Sequence, residues 1–138
     1  MASRLNPYIS FTGTAKQAME FYQQLFGGEL RMNTFGEFGA ADEPYADQIM
    51  HAQLDTPAGY TLMASDTPPG MEPRIGSAIT ISISGDDEPT LRGYWDGLSA
   101  EGTVEVPMAK QMWGDSFGQC VDRFGVRWLV NISSAGTP

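Results

Sequence analysis

Apolar and polar residues recur with two different periods along this chain, and each change of period marks an element. Residues 6–11 (NPYISF) have the pattern of a short strand. After Thr14 the apolar residues Ala15, Ala18, Met19, Tyr22, Leu25 and Phe26 follow at helical spacing, and Gly27-Gly28 ends the run. Thr14 is the predicted N-cap. Residues 29–35 return to a strand pattern, and 36–46 carry the Gly, Asp and Pro of a loop. Residues 48–55 and 60–65 predict a hairpin around Pro57-Ala58-Gly59. A linker rich in proline and glycine occupies about 67–76. Beyond it Ile79, Ile81 and Ile83 alternate with Thr80, Ser82 and Ser84, so one face of this strand, 77–84, is expected to pack and the other to stay polar. Asp86 or Asp87 then caps a second helix, with Glu88 and Pro89 in its first turn and Leu91, Tyr94, Trp95 and Leu98 as its apolar stripe. After Gly102, residues 103–108, 116–122 and 126–132 predict three strands.

The second half repeats the first. Thr14 and Asp87, Phe21 and Tyr94, Tyr22 and Trp95, and Leu25 and Leu98 share one offset of 73 residues. The turn Asp55-Thr-Pro-Ala-Gly59 is answered by Asp122-Arg-Phe-Gly125. The predicted fold is therefore α+β, a single domain over 1–138 made of two βαβββ modules at about 5–66 and 77–133. One helix covers one face of each four-stranded sheet. The other faces need cover, which the partner module supplies if the two curved mixed sheets form an open barrel with the helices outside. A cleft framed by both modules is then the expected ligand site.

Composition narrows the partners. The formal charge is −9 with only eight Lys and Arg, which disfavours nucleic acid and anionic membrane surfaces. No apolar run approaches the roughly 18 residues of a membrane-spanning helix. The first residues, Met1-Ala-Ser-Arg-Leu-Asn6, lack the apolar stretch of a secretion signal, and the single cysteine fits a reducing cytoplasm. Cys120 lies in a strand pattern and reads as a buried, inert thiol.

The paired βαβββ order, the helix ending Phe-Tyr…Leu-Phe-Gly-Gly and the Asp-x-x-Gly-x-x-Trp hairpin resemble the vicinal oxygen chelate superfamily of glyoxalase I, extradiol dioxygenases and bleomycin-resistance proteins. Asn6-Pro-Tyr-Ile-Ser-Phe11, Ile49-Met-His-Ala52, Leu62-Met-Ala-Ser-Asp66, Trp113-Gly-Asp115 and Asp122-Arg-Phe-Gly-Val-Arg-Trp128 are closest to its PhnB-like branch. The resemblance runs from about residue 5 to 133. A methyltransferase activity, often attached to that branch, is disfavoured, since no glycine-rich strand-to-helix loop for a methyl-donor nucleotide is present.

The resemblance implies a metal set of His and Glu, one side chain from the first and one from the last strand of each half. The last-strand positions fall at Met63 and Leu129, and the first-strand candidates are Asn6–Tyr8 and Ala78–Thr80. None is His, Asp or Glu, so no metal and no other cofactor is predicted. Asp42, Glu43 and Asp47 are read as a solvated loop.

His51, the only histidine, lies beside Gln53 and opposite Met50, Ala52 and Leu54 on its strand. It is the candidate catalytic residue, acting as general base, or else a structural histidine tied to a backbone group. Tyr8, Ser10, Gln53, Met63, Thr80, Ser82 and Leu129 are the candidate ligand-contacting residues lining the cleft. Trp113 and Asp115 join them at its rim, or instead form a plain turn. Phe35 and Phe38 are further apolar wall candidates, whereas Phe21, Tyr22, Tyr94, Trp95 and Trp128 are assigned to the core. Three functions follow: a homodimer that binds a small organic molecule without metal, a lyase-, isomerase- or dioxygenase-type enzyme using His51, or a structural or regulatory dimer with a filled cleft.

Overall fold

The computed structural model describes residues 4–67, 76 and 79–133. The chain divides into two compact units, Met1–Arg74 and Ile75–Pro138. The first contains β1 (Tyr8–Phe11), α1 (Ala15–Phe26), β2 (Glu29–Thr34), β3 (Ile49–Asp55) and β4 (Thr61–Asp66). The second contains β5 (Ile81–Gly85), α2 (Glu88–Ser99), β6 (Thr103–Lys110), β7 (Ser116–Val121) and β8 (Arg127–Ile132). Each βαβββ unit forms an open four-stranded sheet, ordered β1-β4-β3-β2 and β5-β8-β7-β6. β1 runs parallel to β4 and β5 parallel to β8, while the other neighbours are antiparallel. Both sheets are thus mixed, and each carries one helix on one face.

The helices form where the apolar spacing places them. α1 buries Ala15, Ala18, Met19, Tyr22 and Phe26 against Ala52, Leu54, Leu62 and Ala64. α2 buries Leu91, Trp95 and Leu98 against Ile83, Cys120, Trp128 and Val130. Each buried aromatic or leucine side chain contributes about 1.5–3 kcal/mol. Phe21 and Tyr94, assigned to the core, are half-buried.

The two helix starts differ. Asp87 caps α2 as expected, accepting from the Thr90 N–H at 3.4 Å and the Thr90 hydroxyl at 2.9 Å. Thr14 makes no side-chain cap. The buried Asp66 carboxylate at the end of β4 instead accepts the Ala15 N–H at 3.0 Å and the Ile49 N–H at 2.9 Å. A charged acceptor on the first turn of a helix is favoured by the unpaired amides there.

The duplicated turns are also one residue out of the register read from sequence. A Cβ on Gly28 would overlap the Asp55 carbonyl, and one on Gly102 the Val121 carbonyl. The two glycines are equivalent, each giving the close backbone approach that only glycine allows. Asp55 therefore matches Val121, and Thr56 rather than Asp55 matches Asp122. The hydrogen bonds agree: the Thr56 N–H donates to the Tyr60 carbonyl at 3.0 Å, and the Asp122 N–H to the Val126 carbonyl at 2.8 Å.

The isoleucine pattern before α2 overshoots the strand. The ladder with β8 begins at Ile81, opposite Trp128. Ile83 is buried and Ile81 half-buried, but Ile79, beyond the ladder, is 84% exposed. Thr80 precedes the strand as well. Ser77, Ala78 and most of the predicted linker lie outside the described residues.

Candidate functional site

Strand alternation gives each sheet a face its helix does not cover. On the first sheet, cross-strand partners set three rows of side chains there. Arg31, Gln53, Met63 and Tyr8 lie opposite one another across β2, β3, β4 and β1. Asn33 and His51 form the start of the next row, and Ser10 and Ser65 its end. Glu29, Asp55 and Thr61 make the third. Five predicted site residues, Tyr8, Ser10, His51, Gln53 and Met63, are therefore brought to one face.

Within that face Tyr8 Oη lies 3.4 Å from His51 Nδ1, with the rings tilted and their centroids 5.8 Å apart. The Tyr8 side chain is thus the partner that His51 meets on this face among the described residues. Asp55 is the polar hub of the third row. It accepts from Gln53 Nε2 at 2.9 Å, Thr61 Oγ1 at 3.0 Å and Arg31 at 3.0 Å, and more weakly from Arg4 at 3.5 Å. Hydrogen bonds from Gln53 and Thr61, then the charges of Arg31 and Arg4, hold its carboxyl below the usual carboxylate range.

The corresponding face of the second sheet has different chemistry. Gln119, Leu129 and Ser82 occupy the positions of Gln53, Met63 and Tyr8, and Phe117 that of His51. Arg127 is clamped to Glu105, with nitrogens 2.7 and 3.1 Å from its two oxygens, and Gln119 donates to the same carboxylate at 3.2 Å. Trp113 is 62% exposed, edge-on to Phe117 at 6.4 Å between centroids. It stands in the β6–β7 turn, closed by the Gln111 N–H to the Asp115 carbonyl at 2.7 Å, with Gly114 in the left-handed region. The Asp115 carboxylate accepts from Asn131 at 3.0 Å. Both site readings of this turn have a counterpart here: the turn bonds are real, and the indole is presented to solvent.

The metal positions implied by the family resemblance can now be read from strand pairing. Tyr8 stands opposite Met63 and Ser82 opposite Leu129. The second-half first-strand candidate is thus Ser82, not Ala78–Thr80, because β5 starts later than the isoleucine pattern suggests. A phenol, a thioether, a hydroxyl and an alkyl group do not fit a divalent ion that takes imidazole and carboxylate. Among the described residues, no three His, Cys, Asp or Glu side chains converge, Asp42, Glu43 and Asp47 included.

Other candidates fall elsewhere. Phe35 packs edge-on against Tyr45 in the loop after β2, and Phe38 in the same loop is exposed. Cys120 is buried, and desolvation, with Asp122 and Glu105 adding to it, pushes its thiol up to about 11, far from a reactive thiolate. Arg31, Asn33 and Gln119 were absent from the sequence-derived site. The alternation of Glu29, Arg31 and Asn33 with Leu30 and Met32 carried the signal for the first two. Gln119 follows Gln53 by the same interval that separates Leu129 from Met63. No helix among the described residues is long and apolar enough to cross a membrane.

Comparison with known proteins places this geometry in a family. Residues 3–131 match a family model described as 3-demethylubiquinone-9 3-methyltransferase. Protein YjdN of Escherichia coli is 29% identical, over 93% of this chain and 94% of its own. The crystal structure of protein PA1353 from Pseudomonas aeruginosa is 33% identical, with a TM-score of 0.83 over 96% of this chain and 99% of that one. The PhnB protein of Bacillus cereus superposes with a TM-score of 0.77 at 21% identity, covering 95% of this chain and all (100%) of that one. A glyoxylase/bleomycin resistance protein/dioxygenase domain from Frankia sp. EAN1pec shares the fold at 12% identity, with a TM-score of 0.66 over 99% and 96% of the two chains.

Proposed function

Because the chain belongs to this 3-demethylubiquinone-9 3-methyltransferase family of PhnB-like proteins, with the glyoxalase/bleomycin-resistance fold, we propose that it binds a small organic molecule on the helix-free face of its first sheet, without the divalent metal of the fold's enzymes. One observation carries the reading. Where the family resemblance implies a metal-binding pair, Tyr8 and Met63 stand side by side, ringed by the hydrogen-bonding groups of His51, Gln53, Asn33 and Ser10. A small apolar floor with a few fixed polar groups is how proteins hold organic ligands. Methyl transfer has less support. The strand-to-helix turns are Thr12-Gly13-Thr14 and Asp86-Asp87, one with a single glycine and one with two carboxylates that repel a nucleotide phosphate.

A fragment screen read by ligand-observed NMR tests the proposal. Hits are expected that lose at least about tenfold in affinity in Met63→Arg, which fills the floor with a long cation. A folded protein with no hits, or hits indifferent to Met63→Arg, sinks it.

The Tyr8–His51 contact favours a second reading, an acid–base enzyme of lyase or isomerase type. Its signature is turnover abolished by His51→Asn with ligand affinity kept. The reading further includes a homodimer in the cytoplasm. The unpaired edges of β1, β2, β5 and β6 in their own sheets and the exposed Met112 and Trp113 support association. Light scattering at a monomer mass of 15.0 kDa refutes the dimer.

A further inference from the structure

The contact between Tyr8 Oη and His51 Nδ1 specifies what the face recognises, granted that it is a ligand surface. A phenolic O–H is a far better proton donor than a neutral imidazole N–H, and an imidazole nitrogen a better acceptor than a phenol oxygen. The hydroxyl therefore donates and Nδ1 accepts. A neutral ring whose Nδ1 accepts carries its proton on Nε2, because one ring nitrogen is the donor and the other the acceptor. Nε2 makes no hydrogen bond among the described residues, so its N–H remains to be used. Gln53 has committed its amide N–H to Asp55, and Asn33, directly opposite His51, hydrogen-bonds Glu37 through its side chain.

We propose that Tyr8 is a positioning residue that holds His51 as the Nε2–H tautomer, and that the face thereby selects neutral molecules bearing a carbonyl oxygen. The charge pattern decides between a carbonyl and a carboxylate. Among the described residues Arg4 and Arg31 are the cations of this face; both pair with Asp55, and Glu29 opposite Asp55 adds a second carboxylate. No surplus positive charge is left for an anion, and the chain's net −9 repels one at long range. The apolar part of the ligand rests on Met63 and the Tyr8 ring.

The chain has a single histidine, so the ring nitrogens of ¹⁵N-labelled protein give one unambiguous signal set. Acetophenone, ethylbenzene and benzoate serve as probes, and loss of one methyl signal in Met63→Leu assigns the Met63 reporter. Wild-type protein is expected to show the Nε2–H tautomer alone. Acetophenone should shift both the Nε2–H and the Met63 methyl, ethylbenzene only the methyl, and benzoate neither. In Tyr8→Phe the ring should relax to a mixture of tautomers with an unchanged melting temperature, and acetophenone should bind about five- to tenfold more weakly. An Nδ1–H tautomer in the wild type overturns the proposal. So does a methyl that moves with acetophenone while Nε2–H stays still, although binding at the face then stands. Preference for benzoate overturns the neutral-ligand selection. If no probe moves either signal, the ligand surface itself is refuted along with it.

Discussion

The two modules share a backbone and differ in their linings. Tyr22 on α1 is buried in a unit whose β3 carries Ala52, whereas its counterpart Trp95 on α2 needs Gly118 at the matching position, where a Cβ would meet the indole ring at 2.9 Å. Leu62 in β4 has a threonine, Thr56, in the turn before it. Trp128, its counterpart in β8, has Asp122, whose carboxylate takes the indole N–H at 2.9 Å and the Phe124 and Val126 amides at 2.8 and 3.1 Å. A larger core residue in one copy is matched by a smaller neighbour, and a new buried donor by a new acceptor. Close packing and the cost of an unsatisfied buried polar group require such paired change. The helix-free faces are under no such constraint, and they have diverged furthest: Tyr8, His51, Asp55 and Arg31 in one copy, Ser82, Phe117 and Val121 in the other. The chain's one imidazole lies on the first of these faces, whereas the second carries the Arg127–Glu105 pair.

The largest test of this contrast is the turn carboxylate. Asp122→Ala strips an acceptor from three N–H groups and should cost roughly 3–5 kcal/mol, while Thr56→Ala at the matching turn should cost about 1 kcal/mol or less. Urea denaturation reads both, and equal losses would break the equivalence drawn between the two turns. Next come the helix starts. Asp66→Ala leaves two buried amides unpaired and should cost roughly 2–4 kcal/mol, against about 1 kcal/mol for the exposed cap in Asp87→Ala. A smaller loss for Asp66→Ala than for Asp87→Ala would show that the remote cap matters less than the local one.

The smallest effect is on acid stability. The carboxyl of Asp55 is lowered in the folded chain from its ordinary 3.8. A depressed carboxylate adds stability that is present above its unfolded value and lost as pH falls through the folded one. Asp55→Asn should therefore flatten the loss of stability as pH falls below about 4. Val121, at the matching position, has no such role, so Val121→Ala should leave the shape of the acid limb unchanged. An acid limb of unaltered slope in Asp55→Asn would remove the polar hub from this picture.

Much of this contrast was legible before any coordinates. The helices, the Gly27-Gly28 stop, the doubled βαβββ order and the shared face of His51 and Gln53 follow from periodicity, which is a property of neighbouring residues. The matched positions Met63 and Leu129 were legible too, because duplication supplied an internal comparison. The start of β5 was not. Isoleucine alternation continues past the point where β8 offers a partner, and the ladder, not the alternation, defines a strand.

Sequence by itself thus determined the elements, their order and their apolar sides, since those depend on spacings of two to four residues. Tertiary structure alone decided which polar groups meet. Asp66 reaches an amide 51 residues away, and Tyr8 reaches a ring 43 residues away. No local pattern encodes such pairs, because they exist only once the sheet has brought distant strands to within a hydrogen bond of each other.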